Sequence, residues 1–195
     1  MDQEAVLRTY ARAAEDAHGA LTELDQLSGD GDFGDNLRGG LRDAVARFEQ
    51  GGTSAFGALG EVFLDEVGGT SGPLLGLLFT ELAQALDGDG SFGDGARDGL
   101  AAIQRVGEAQ VGDRTLVDAL SPAVDAFAAG GLVGAAAAAR RGADHTAQLR
   151  ARRGRASYVG DRAKGEPDPG AMGIALLFWA AATVESPDAA VERPV

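Results

Sequence analysis

The feature that most constrains this chain is a succession of apolar residues at helical spacing, interrupted by short glycine-rich breaks. Val6, Tyr10, Ala14 and Leu21 show the spacing, which puts apolar side chains on one face of a helix. Residues that favour strands rarely cluster, whereas Ala and Leu dominate. The pattern predicts an all-α fold.

The breaks divide the chain into about eight helices with short connections. No repeat or change of composition suggests a boundary, so residues 1–195 are expected to form one domain, with 185–195 as a frayed tail. The last helix is apolar nearly all round and is expected at the centre. The predicted helices are 3–24, 37–48, 56–67, 73–86, 96–106, 116–127, 132–150 and 171–184.

Composition excludes several classes of chemistry and of binding partner. The chain has no Cys, which excludes disulfides, thiol catalysis and cysteine-ligated metals. A formal net charge of −13 argues against nucleic acid and anionic membranes as partners. We find no signal peptide, and the longest apolar run, 174–184, is too short to span a bilayer, so a cytoplasmic protein is expected. Any anionic ligand must be neutralised locally, by a metal ion or by helix N-termini.

One glycine-broken turn holds four carboxylates, those of Asp25, Asp30, Asp32 and Asp35. Carboxylates this dense repel one another unless a cation lies among them, and hard oxygen ligands suit Mg²⁺ or Ca²⁺. A solvated turn is equally compatible with the composition, since Asp and Gly are the commonest turn residues. Asp25, Asp30 and Asp32 are the predicted ligands, and Asp35 is not.

A second stretch, 68–73, places glycines and the hydroxyls of Thr70 and Ser71 before a helix, where free backbone N–H groups could receive an anion. An ordinary capped helix is the alternative. Beside a cation site, the stretch suggests a magnesium–phosphate ligand. A Walker loop is excluded, because Gly165 follows the only lysine, Lys164.

Three further features of the sequence are a basic stretch, two histidines and a second acidic loop. Arg155 belongs to a basic stretch, 152–158, that suggests a phosphate or sugar contact, or a solvated loop that balances the acidic site. The two histidines, His18 and His145, are expected to be structural surface residues. The acidic loop at Asp87 departs from the calcium-loop pattern and is interpreted as solvated.

With these stretches in order, the chain resembles the L subunit, or C-terminal nucleotide-binding domain, of dihydroxyacetone kinases. The resemblance implies eight antiparallel helices in a closed barrel, with the nucleotide at one end. Its motifs are 21–25 with 29–32, 68–73, 112–120, and 153–158 through 168–171.

The resemblance also implies a set of site residues. Asp25, Asp30 and Asp32 would hold a pair of Mg²⁺ ions for bound ATP or ADP. Thr70 and Ser71 would contact phosphate. The implied nucleotide-binding residues are Phe33, Gly34, Asn36, Thr70, Ser71, Gly107, Leu116, Arg155, Asp168, Pro169 and Gly170.

In such kinases the sugar binds covalently to a histidine of a separate K subunit or domain. The resemblance therefore implies half an enzyme, which presents ATP for in-line transfer to a small ketose on a K-type partner. A phosphotransferase-system subunit with tightly held, rephosphorylated ADP is an alternative, and so is a regulatory nucleotide-binding module. Whether the chain forms a homodimer stays open. Phe33 replaces the histidine usual in the family, which leaves the phosphate contact unexplained.

Overall fold

The computed structural model describes residues 1–159 and 163–195, and every regular element in these ranges is helical. The predicted all-α fold is confirmed. The elements are α1 (Gln3–Ser28), α2 (Phe33–Glu49), α3 (Ala55–Asp65), α4 (Ser71–Asp87), α5 (Phe92–Gly107), α6 (Val117–His145), the 3₁₀ turn Thr146–Gln148, α7 (Ala156–Val159) and α8 (Pro169–Glu185).

The long helix α6 consists of two arms. Gly131 has φ 55° and ψ −154°, a conformation that favours glycine, and it separates the two helices predicted from the sequence. The arms fold back on each other closely, because a Cβ at Gly142 would overlap the carbonyl oxygen of Asp118. Val117–Gln148 is long and apolar enough to span a membrane by length and composition alone. The kink divides it into arms too short for a bilayer, which needs about 20 residues.

The long helices form a closed ring. Each of α1 to α5 packs against the next helix in the chain, and α8 closes the ring between α6 and α1. With the two arms of α6, these elements account for the eight predicted antiparallel helices. The side chains of α8 are buried nearly all round, as its composition predicts. However, α8 is a member of the ring, flanked by α6 and α1, and does not lie at the centre as expected.

Aromatic rings fill the core inside the ring. Tyr10 and Phe63 each pack edge-on against Phe79, and Phe92 packs against Phe178 at 5.4 Å between ring centres. The Tyr10 hydroxyl donates a hydrogen bond to the carbonyl of Gly173 at 3.0 Å, and burial raises the pKa of this phenol well above its usual range. Edge-to-face pairs add about 1 kcal/mol each beyond the area they bury, so this cluster fixes α1 against α4 and α5 against α8.

The segment after α8, expected to be frayed, packs against the helices instead. The Trp179 indole N–H donates to the carbonyl of Val191 at 3.1 Å. Arg193 lies over the Trp179 ring and donates to the carbonyl of Ala13 at 2.8 Å. The sequence did not predict this packing, because the tail contacts residues that are distant in the sequence, such as Ala13.

Candidate functional site

A cavity of about 370 Å³ opens at one end of the ring, where α1 and α5 end and α2, α4, α6 and α8 begin. Four helix N-termini therefore surround one space. Their four dipoles outnumber the opposing dipoles of α1 and α5, which end here, so the backbone favours an anion at this end of an otherwise acidic protein. Amides in the first turns of α2, α6 and α8 are already hydrogen-bonded, whereas the start of α4 has no side-chain cap.

The carboxylates of Asp25, Asp30 and Asp32 converge on this cavity. One oxygen from each lies within 4.8 Å of the other two. Asp25 comes from the last turns of α1, and its Oδ2 accepts the N–H of Phe33 at 3.1 Å. Gly31 has φ +82°, which turns the chain so that Asp30 and Asp32 face Asp25. Three hard oxygen donors at this spacing fit Mg²⁺ or Ca²⁺.

Arg155 supplies the counter-charge to these carboxylates. Its guanidinium contacts the Asp30 carboxylate directly and lies 3.8 Å from Asp32, while about half of the side chain is exposed. The resemblance implies that Arg155 contacts the nucleotide, and the structure places it on the cavity, against the predicted metal ligands.

The start of α4 forms the opposite wall. Thr70 is the N-cap residue but makes no side-chain capping hydrogen bond, and Ser71 follows it along the cavity. Gly69, with φ +75°, brings this loop close to Asn36, since a Cβ there would lie 3.7 Å from the Asn36 amide nitrogen. The hydroxyls and first amides of α4 are thus available to an anion.

The predicted site residues line the cavity, with two exceptions, Gly34 and Asn36. Gly34 faces α1, where a Cβ would overlap the Thr22 hydroxyl and lie 2.8 Å from the carbonyl of His18. Helix packing therefore explains why this residue is a glycine. Asn36 lies beside Gly69, next to the cavity wall. The predicted residues that line it are Asp25, Asp30, Asp32, Phe33, Thr70, Ser71, Gly107, Leu116, Arg155, Asp168, Pro169 and Gly170.

Phe33 is 5% exposed and reaches towards α8. A Cβ on Gly173 would lie only 3.0 Å from the Phe33 ring, so the glycine makes room for it. The ring is part of the apolar floor of the cavity and of the core below it. It carries no hydrogen-bonding group, so an anion in the cavity would be contacted by other residues.

Asp168 begins α8 on the far side of the cavity. Its carboxylate accepts the Ala171 N–H at 2.9 Å, and its own N–H donates to the Thr146 hydroxyl at 2.7 Å. Burial raises the pKa of Asp168 to about 6, although the Ala171 N–H and the positive charge of Arg114 oppose the shift. The wall formed by Asp168, Pro169 and Gly170 is thus held by a helix cap.

Sequence analysis missed the role of Arg114, which is 1% exposed and lines the cavity. It donates hydrogen bonds to the carbonyls of Ala163 and Glu166 at 3.0 and 3.1 Å. A charged residue beside Asp113 in a glycine turn carries no local signal of burial. The apolar wall of Leu74, Ile103 and Ala109 was also missed, because its residues look like any other helix core.

The features interpreted as structural lie outside this cavity. His18 pairs with Asp35 at 2.9 Å on the outer surface of α1 and α2. Asp87, predicted to lie in a solvated loop, holds Gln3 and Ser54 through its two carboxylate oxygens. It therefore anchors neighbouring helices at the opposite end of α4.

Comparison with known sequences gives a consistent set of relatives. The family model of the DAK2 domain, Dak2, matches residues 28–183. L-erythrulose 1-kinase of Mycolicibacterium smegmatis is 38% identical over an alignment 195 residues long, gaps included, which covers 90% of this chain and 34% of that protein. The ADP-binding subunit DhaL of the PEP-dependent dihydroxyacetone kinase 1 of Listeria innocua is 34% identical over 182 residues, 89% of this chain and 91% of the subunit.

A solved structure agrees with these relatives. The dihydroxyacetone kinase of C. freundii, crystallised with AMP-PNP and Mg²⁺, superimposes with a TM-score of 0.77 at 28% identity. The match covers 93% of this chain and 33% of the kinase. The chain thus spans about a third of the longer kinases and most of the length of the separate subunit.

Proposed function

The chain belongs to the DhaL-type family of dihydroxyacetone kinase domains that carry the Dak2 domain, and we propose that it is a Mg-nucleotide-binding, phosphoryl-donating kinase subunit. The γ-phosphate of ATP would pass to a small ketose that a separate K-type partner holds. The observation that carries this proposal is the convergence of Asp25, Asp30 and Asp32 on a cavity walled by the start of α4.

The charges in the cavity suit a polyphosphate. Mg²⁺, which we propose as a pair, would neutralise both the carboxylates and the phosphates and so favour transfer of the phosphoryl group. Asp25 is held for this role by the Phe33 N–H, at 3.1 Å. Thr70 and Ser71 would orient the phosphates with their hydroxyls and with the first amides of α4, which need no rearrangement to do so.

The rest of the cavity suits a nucleoside. Leu74, Ile103 and Leu116 give it an apolar side, and Asp168 ends that side with a carboxylate. An apolar slot with few polar groups is typical of sites for flat rings. The adenosine would therefore lie between the end of α5 and the start of α8, with Gly107 and Gly170 as close backbone walls.

A second candidate differs in the phosphoryl donor. The L. innocua relative is the ADP-binding subunit of a PEP-dependent kinase, and a subunit from Lactococcus lactis, 35% identical, belongs to a PTS-dependent one. By analogy, this chain would keep ADP bound and receive phosphate from a phosphocarrier protein. ADP retained through purification, without turnover on free ATP, would favour this version.

Calorimetry with Mg-ATP and Mg-ADP tests the nucleotide site. The native chain should bind both, and the Asp30→Ala/Asp32→Ala variant should lose affinity at least a hundredfold. Asp35→Ala is the matched control, since Asp35 is exposed and outside the cavity, and it should bind as the native chain does. No binding by the native chain, after any retained nucleotide has been removed, would overturn both kinase versions.

A reconstituted assay tests the transfer. The chain would be mixed with a K-type subunit, Mg-ATP and a panel of short ketoses in a cytoplasm-like buffer. Phosphorylated ketose supports the ATP-dependent version. Nucleotide binding without transfer, from ATP or from a phosphocarrier, would instead identify a regulatory module.

A further inference from the structure

The loop between α5 and α6 is held in an unusual conformation. Glu108 and Arg114 have φ of 50° and 60°, which L residues other than glycine seldom adopt. The buried carboxylate of Asp118 fixes the loop by accepting the N–H groups of Gly112 at 2.6 Å and Thr115 at 2.8 Å. Such a conformation is strained and persists only where the surroundings enforce it.

This conformation directs Arg114 under one wall of the cavity. Its fully buried guanidinium donates to the carbonyls of Ala163 and Glu166 and lies 4.0 Å from the Asp168 carboxylate. Two of its nitrogens, Nε and Nη1, have no hydrogen-bond partner among the described residues. Burying such a charge is unfavourable unless it is well paired, so a residue chosen only for packing would not be an arginine.

The preceding residue, Asp113, holds another wall. Its carbonyl accepts the N–H of Arg152 at 3.0 Å. Its carboxylate, 11% exposed, lies 3.8 Å from Nη1 of Arg152 and 3.7 Å from Nε of Arg153. The chain leads directly from these arginines to Gly154 and Arg155, which line the cavity mouth.

We infer that Asp113 and Arg114 are positioning residues that set the spacing between two walls of the nucleotide cavity. Asp113 fixes the wall that ends in Arg155, and Arg114 fixes the wall of Asp168, Pro169 and Gly170. Because the two residues are adjacent in one strained turn, neither wall can move without the other. This inference rests on the proposed function and deepens it, since it assigns to Arg114 the retention of the nucleoside and to Asp113 the placing of Arg155.

The two walls should act on different parts of the ligand. Arg114 holds the nucleoside side of the cavity, and no bond described above joins it to Asp25, Asp30, Asp32 or the start of α4. Loosening the wall that Arg114 holds should weaken the binding of a nucleotide while leaving the binding of a bare polyphosphate intact. Loosening the wall that Asp113 holds, which ends in Arg155 beside Asp30, should weaken both ligands. A merely structural role of Arg114 would weaken both ligands together.

The test compares Mg-ATP with Mg-tripolyphosphate by calorimetry on the native chain and on Arg114→Met. The variant should bind Mg-ATP at least tenfold more weakly and Mg-tripolyphosphate within twofold of the native affinity. Arg114→Lys, which keeps the charge but cannot span both carbonyls, should lie between the two. Arg140→Met is the control, because Arg140 also donates to a backbone carbonyl, that of Arg193, away from the cavity.

A second variant tests the inference even if Arg114→Met does not fold. Asp113→Asn keeps an acceptor for the Gln110 N–H but removes the charge that faces Arg152 and Arg153. It should weaken Mg-ATP and Mg-tripolyphosphate alike, each at least threefold, because its wall ends in Arg155 beside Asp30 and Asp32. Equal losses for both ligands in Arg114→Met, or an unchanged affinity for Mg-ATP in folded variants of either residue, would overturn the inference. A native chain that binds neither ligand would overturn the proposed function, and this inference with it.

Discussion

At the scale of single residues, Phe33 stands where the resemblance implies a histidine, and the structure gives this residue a physical setting. The ring lies over Gly173 and is almost fully buried. The ring packs in the core, and it offers a ligand no hydrogen-bonding group of the kind that an imidazole would offer. Phosphate contacts in the proposed site therefore fall to Thr70, Ser71 and Arg155, which lie around the same cavity.

Asp168 is the second informative residue, because its carboxylate is buried at the start of a helix. Its pKa rises from 3.8 to about 6 in the folded protein, mainly through burial. The folded state therefore binds this proton more tightly than the unfolded state. The resulting stabilisation is complete below pH 3.8 and is lost as the pH rises through 6.

Asp168→Asn removes this titration and keeps an oxygen that can accept the Ala171 N–H. The free energy of unfolding of the variant, relative to the native chain, should rise by about 2 kcal/mol between pH 4 and pH 7. Urea titrations at the two pH values measure it. For Asp35→Asn we expect no rise, since the His18 hydrogen bond lowers the pKa of Asp35. A pH-independent difference for Asp168→Asn would contradict the raised pKa.

At the scale of elements, glycines decide how closely helices approach. Gly76 of α4 has no room for a Cβ, which would lie 2.8 Å from the backbone nitrogen of Leu64. Gly39 of α2 has nothing within 4 Å, so its glycine serves no contact in the structure. Both look alike in the sequence, where close packing and neutral drift were equally good explanations. Only the neighbouring helix distinguishes them.

The two arms of α6 provide a test of this distinction. Gly142→Ala should lower the free energy of unfolding by about 3 kcal/mol, because its Cβ would overlap the Asp118 carbonyl and backbone cannot easily give way. Gly134→Ala, in the same arm, should raise it by up to about 1 kcal/mol, since a Cβ there meets only an ordinary contact at 3.6 Å. Denaturant unfolding measures both variants. Similar effects of the two substitutions would contradict the close packing of the arms.

At the scale of the whole molecule, one end of the ring combines negative and positive charge. The whole protein has a formal net charge of −13, yet four helix N-termini and Arg155 surround the cavity at this end. At the outer side of α8, the C-terminal segment covers Trp179 and joins α8 to α1 through Arg193. The proposed site and this cover involve separate residues, so they can be perturbed separately.

Truncation after Ser186 should expose Trp179 and the apolar surface that Val191 and Val195 cover. We expect a loss of roughly 2 kcal/mol in the free energy of unfolding, from lost apolar burial, and a red shift of the fluorescence of this single tryptophan. Nucleotide affinity should not change, since no tail residue lines the cavity.

The control for the truncation is Asp188→Ala, an exposed tail position that should alter neither stability nor fluorescence. Unchanged stability and emission in the truncated chain would show that the segment contributes nothing to the fold.

The sequence by itself determined the helices and the acidic turn. Apolar spacing and glycine breaks act within a few residues, so they predicted the all-α fold and the break at Gly131. Asp25, Asp30 and Asp32 converge because they share one short turn, and their density was visible without a structure. The motifs around Thr70 and Asp168 were recognisable for the same reason.

Only the tertiary structure decided which distant residues meet. Arg114 holds Ala163 and Glu166 across some 50 positions, Gly34 fits against His18, and Arg193 returns to Ala13. A buried charge, a packing glycine and a docked tail are each defined by a partner, and no local pattern names that partner. The residues that surround the acidic turn were therefore set by the closing of the helical ring, because burial and pairing exist only once the helices are packed.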